Sequence, residues 1–195
     1  MAVARKLTAA CLVLSLCLFG RCAFAQFEGE NLLVTMPSGF KVGYQDARNG
    51  VRIQELIPAG ETVQHWSEMV TVQVFQNRTD LDPRKMLERI RQQWLQACRG
   101  SALATIVDGQ TNGYTVATML LRCPMNGETG KPETTSFRAI KGRDSFYMVQ
   151  SAVRFVPDQS QLERMNSYLA TVSVCDTRKP QHPCPDLRGG FHYKE

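Results

Sequence analysis

Apolar and polar positions alternate in short runs through the first third of the chain. Phe40, Val42 and Tyr44 alternate with polar residues, and Val51 and Ile53 do so again after Asn49-Gly50. A period of two predicts strands. An Asn-Gly pair between two such runs predicts a hairpin, because both residues tolerate positive φ. Pro58, Gly60 and the polar run to Glu68 then predict a connection. Alternation resumes at Val70, Val72 and Val74, so Met69 to Phe75 reads as a strand; its other face carries Met69, Thr71, Gln73 and Phe75, which implies cover on both faces.

The period then changes. In "TDLDPRKMLERIRQQWLQACRG", Leu87, Ile90, Trp94 and Cys98, with Met86 and Ala97 beside them, form one stripe at helical spacing. Asp82 is placed to cap this helix, Pro83 suits its first position, and Gly100 is a natural stop. Arg84, Lys85, Arg89 and Arg91 fall largely off the stripe and read as a solvated face. Two hairpin-like blocks follow. In the first, Asp108-Gly109 and Asn112-Gly113 separate two apolar segments; in the second, the break lies at Lys141 to Asp144. "PMNGETGKP" between them reads as a loop. Ser160 and Glu163 have capping-box spacing before a second helix, whose stripe is Leu162, Met165, Leu169 and Val172 or Val174. The tail beyond Asp176 is too rich in Pro and Gly to extend that helix.

Consecutive hairpins imply an antiparallel sheet, and two amphipathic helices need a sheet face to bury against. The fold class is α+β, an antiparallel sheet flanked by amphipathic helices. The early "MPSGF" leading into paired strands, the helix after Asp82-Pro83, the paired strands beyond it and the terminal helix together resemble the Mog1/PsbP-like group. The chain also resembles a class of uncharacterised exported bacterial proteins. The resemblance spans most of Asn31 to Asp176 and lies in element order rather than in a motif. It implies a sandwich that acts by binding other proteins or as an accessory subunit. It transfers no functional residue.

The N-terminus alters the charge and cysteine arguments. Arg5 and Lys6 precede the apolar run "LTAACLVLSLCLFG", and Ala23 to Ala25 offer a small-x-small cleavage site. Residues 1–25 are therefore expected to be a signal peptide, with cleavage between Ala25 and Gln26. Cys22 follows Arg21 and Cys17 follows Leu16, which does not suit a lipoprotein anchor. The full chain has 23 basic and 18 acidic residues, and the leader holds three of the basic ones. The near balance that remains argues against nucleic acid or an anionic membrane as partner. One domain is expected over 26–176, with a tail over 177–195.

Cys98, Cys123, Cys175 and Cys184 remain after cleavage, an even number that reads as two disulfides in an exported chain. Of three possible pairings, Cys98–Cys123 with Cys175–Cys184 closes the shortest loops. Each bridge would contribute roughly 2.5 to 3.5 kcal/mol through loop closure. Cys175 and Cys184 in such a bridge would staple the tail.

Three patterns carry candidate chemistry. The first is "ETVQHWSE", where His65 with Glu61 or Glu68 has the composition of a general base and its orienting carboxylate. The same stretch also reads as a loop pinned by Trp66, with His65 in solvent. The second is Cys175, His182 and Cys184, which with His192 supply donors for zinc or copper; an oxidising compartment would join the two thiols instead. The third, Cys98 with Cys123, lacks the close spacing of a redox pair. Nucleophile-elbow, phosphate-loop and nucleotide fingerprints are absent.

The resulting expectation is an exported, non-catalytic binding or accessory protein of the bacterial cell envelope, periplasmic or secreted. It needs no cofactor and no stable membrane anchor, and its partner is another envelope protein or a small ligand. His65, Trp66 and Glu68 are its expected contact residues. The alternatives are an envelope hydrolase built on His65 and a metal carrier built on Cys175, His182 and Cys184.

Overall fold

The structure, a computed structural model, describes residues 28–102 and 105–185. The leader with its cleavage point, and His192 in the tail, lie outside the described residues.

Seven antiparallel strands form the main sheet: β2 (Phe40–Arg48), β3 (Val51–Pro58), β4 (Glu68–Gln76), β5 (Val107–Thr111), β6 (Tyr114–Cys123), β7 (Glu133–Lys141) and β8 (Ser145–Val153). Their spatial order is β2-β3-β4-β8-β7-β6-β5, so two meanders meet where β8 pairs with β4. A separate ribbon joins β1 (Glu30–Leu33) to β9 (Ser173–Asp176). Helix α1 (Pro83–Ala97) packs on β6 and β7, and α2 (Gln159–Thr171) packs on β7 and β8. The α+β class thus stands on the strand register itself.

Each helix owns one face of the sheet. On the α1 face, Leu87 meets Ala117, Met119, Leu121, Phe137, Ala139, Phe146 and Met148. On the α2 face, Leu169 joins Val116, Ile140, Tyr147, Val149, Val172 and Val174. This two-sided burial explains why β4 is half apolar on both of its faces: Val70, Val72 and Val74 serve the α2-face core, Phe75 the α1-face core, and Met69 a smaller cluster with Ile57 and Trp66.

Local chemistry explains most boundaries. Asn49-Gly50 and Asn112-Gly113 both take positive φ, 51° and 74° in one turn and 46° and 77° in the other. Asp82 accepts a hydrogen bond from Lys85 N at 3.0 Å, and Pro83 follows it in the first turn.

Four local expectations are corrected. The cap of α2 is Asp158, in a reciprocal box with Gln161, while Ser160 donates to the Asp158 carboxylate and accepts from Arg164 Nη1. Asp108-Gly109 lies within β5, leaving Asn112-Gly113 as the turn. Val174 belongs to β9 rather than to the helix, because β1 supplies a pairing partner from the other end of the chain. Finally, Phe40, Val42 and Tyr44 do not share a face. A bulge at Gly43 sets Val42 opposite Leu56 but Tyr44 opposite Glu55. A Cβ on Gly43 would fall 2.7 Å from Ile57 Cδ1, so only glycine fits this approach.

Candidate functional site

The connection from Ile57 to Glu68 closes over the α1 face. Trp66, only 8% exposed, packs with Ile57 and Met69. The Arg154 guanidinium lies 3.8 Å from the centre of its ring, a cation–π contact, and Arg154 Nε lies 3.9 Å from a Glu133 carboxylate oxygen. Glu61 is committed locally: its two oxygens accept from Ser67 N and Ser67 Oγ, both at 2.6 Å. His65 sits in a turn with Thr62, and its exposed imidazole has no partner among the described residues. Glu68 opens β4 opposite Val153, on the α2 face beside Arg164 and Tyr168. The three expected contact residues are therefore not one constellation: the sheet separates Glu68 from the Trp66 plug, and among the described residues no carboxylate orients His65.

The C-terminal cluster is also spoken for. Cys175 and Cys184 are bonded to each other, as are Cys98 and Cys123, so neither pair offers thiolates to a metal. His182 is 8% exposed, tilted against the Tyr114 ring at 4.4 Å between centroids. Its Nδ1 lies 2.7 Å from the Asn112 carbonyl oxygen, a geometry that needs the proton on Nδ1. Asn112 Nδ2 in turn donates to the carbonyls of Val174 and Pro183. A Cβ on Gly113 would fall 2.7 Å from the imidazole. Residues 177–184 thus pack onto the β5–β6 turn as part of the domain.

A polar lock fixes one end of the ribbon, where Glu30 of β1 pairs with Asp176 of β9. The Glu30 carboxylate accepts from the backbone N–H groups of Arg143 (2.6 Å), Asp144 (3.1 Å) and Ser145 (3.3 Å), and from Tyr147 Oη at 2.8 Å. Burial and this carboxylate together push the Tyr147 phenol up. Asp176, almost wholly buried, accepts from Arg178 Nε and Nη2, both at 2.8 Å, and that pairing holds its pKa down at about 2.

Among the openings between the described residues, two grooves on the α2 face flank the packed core. One runs between β1 and strands β3 and β4, about 450 Å³ in volume, with Leu32, Val34, Met36, Val72 and Val74 among its walls and Arg52 and Gln54 beside them. Among the described residues β1 pairs only with β9, so its outer edge takes no strand. The other groove, about 370 Å³, lies between α2 and strands β5, β6 and β7. It holds Arg138, a residue the sequence analysis passed over; the available signal was a cation on the Ser136–Ile140 side of an otherwise buried strand.

No family model matches the chain, and no curated protein matches it. Solved structures do. Cyanobacterial PsbP from Synechocystis is 12% identical, with 80% of this chain and 98% of that one covered and a TM-score of 0.46. The Ran-binding protein Mog1p from Saccharomyces cerevisiae is 10% identical, with 72% and 84% covered and a TM-score of 0.41. LpqN, involved in cell envelope biogenesis of Mycobacterium tuberculosis, is 8% identical, with 77% and 86% covered and a TM-score of 0.39. All three have the Mog1/PsbP-like fold, the group whose element order this sequence resembles. At these TM-scores the architecture rests on the chain's own strand register rather than on the likeness.

Proposed function

We propose that this chain is an exported, non-catalytic binding or accessory domain of the bacterial cell envelope. It engages an extended segment of another envelope protein along the groove between β1 and strands β3 and β4. The observation that carries this reading is the combination of an apolar wall with an open strand edge. Leu32, Val34, Val72 and Val74 offer apolar contact, and Met36, 41% exposed, stands at the rim. The outer edge of β1 supplies backbone donors and acceptors that a peptide in strand conformation satisfies. The two disulfides support an oxidising compartment, and the charged start and apolar run of the sequence support export.

Site-directed photo-crosslinking in the export compartment tests this. A photoreactive residue replaces Met36 in the groove in one variant, and in another Met125, which is 66% exposed in the loop after β6. The reading expects a discrete adduct from position 36 and none from position 125. Equal adducts from both positions, or none from position 36, would overturn it.

A further inference from the structure

Several arginines of this protein close ion pairs: Arg84 with Asp108 at 2.6 Å, Arg78 with Asp80 at 2.8 Å, and Arg178 with both Asp144 and Asp176. Arg138 does not. It projects from the middle of β7 onto the α2 face, half-buried, and its Nε is enclosed without an acceptor. Among the described residues no group accepts a hydrogen bond from its guanidinium. Burial pulls its pKa below the usual arginine value, with no neighbouring carboxylate to raise it again. A cation held this way is unfavourable unless something completes it.

The surroundings say what would. Among the described residues that line the groove there is no second cation and no carboxylate. Ser136 Oγ donates to Asn166 Oδ1 at 3.0 Å, which orients the amide, and Nδ2 of this exposed side chain has no acceptor among the described residues. Farther out the lining turns apolar: Leu120 is partly buried, Ala170 is exposed, and Val107 is 59% exposed on the edge strand. A volume of about 370 Å³ suits a small molecule.

We propose that this groove is a ligand site for an amphipathic monocarboxylate, with Arg138 as its anchor and Asn166 as a second donor. The planar guanidinium fork presents two parallel N–H groups to a carboxylate. One negative charge neutralises the one cation present, whereas a phosphate dianion would leave an excess charge in a half-buried site. The apolar part of the ligand lies along Leu120 and Val107. This site is independent of the β1 groove, so either stands if the other fails.

Isothermal titration of the oxidised protein with decanoate, kept below its micellar concentration, and separately with decanol and with inorganic phosphate, tests the assignment. Decanoate is expected to bind, with decanol at least about tenfold weaker. Arg138→Met is expected to weaken decanoate about tenfold or more, the loss typical of a hydrogen bond to a charged group. Arg138→Gln gives the same readout should the methionine variant not fold. Equal binding of decanoate and decanol, equal binding by the wild type and the Arg138 variants, or no decanoate binding at all would each overturn the proposal. Displacement of decanoate by an equal concentration of phosphate would overturn the carboxylate assignment.

Discussion

Arg154 and Arg138 are two half-buried arginines on opposite sides of one sheet, and the protein treats them in opposite ways. Arg154 is covered: its guanidinium lies 3.8 Å from the centre of the Trp66 ring and Glu133 stands at 3.9 Å as counter-charge, although its Nε, like that of Arg138, makes no hydrogen bond among the described residues. Arg138 faces an open groove with no counter-charge among the described residues. The difference follows from how each face is closed. The connection between β3 and β4 folds over the α1 face and supplies an aromatic plug. On the α2 face, α2 sits over β7 and β8, and the ribbon adds a second cover, so strips at β3–β4 and at β5–β6 stay open. A charge completed by the fold is structure; a charge left incomplete beside a groove invites a ligand.

The largest expected effect would break the closed side. Trp66→Ala removes the plug and strands Arg154, and is expected to cost about 3 to 5 kcal/mol in denaturant unfolding. A loss below about 1 kcal/mol would mean that the loop does not close that face. The acid limb of stability comes next. Asp176 has its carboxyl held down to about 2 by Arg178, below its ordinary value of 3.8. A depressed carboxylate stabilises above the unfolded value and loses that contribution as pH falls through the folded one. Melting temperature should therefore drop between about pH 4 and pH 2 in the wild type, and Asp176→Asn should flatten that part of the profile.

Smaller effects sharpen the contrast between the arginines. Arg138→Met, without ligand, is expected to be neutral or stabilising by up to about 1 kcal/mol, because it removes an uncompensated charge. A substantial loss of stability would mean that Arg138 is a structural partner like Arg154. His65→Ala should leave stability within about 0.5 kcal/mol, since its imidazole is exposed and unpartnered. Loss of a measurable hydrolytic activity in that variant, with folding intact, would revive the hydrolase reading.

The sequence shows some of this directly and hides the rest for physical reasons. The turns at Asn49-Gly50 and Asn112-Gly113 are legible because positive φ is a local demand that few residue pairs satisfy. The start of α1 is legible because Asp82-Pro83 carries its own capping chemistry. The bulge at Gly43 is not: it answers to Ile57 and Val63 across the hairpin, and alternation alone runs straight through it. Val174 closes the apolar run that follows Leu169 and so reads as the end of the helix, yet β1 claims it for a strand. His65 beside two glutamates suggests a dyad in one dimension; the fold gives Glu61 to Ser67 and sends Glu68 to the other face. Arg138 is visible in the sequence, but its lack of a partner among the described residues is a property of three dimensions.

The most direct measurement follows the arginine side-chain Nε–H resonances of Arg138 and Arg154 by nuclear magnetic resonance as decanoate is added to the oxidised protein. The account predicts that the Arg138 resonance shifts and its hydrogen exchange slows, while Arg154, already covered by Trp66, does not change. An unmoved Arg138, or equal shifts at both arginines, would contradict it.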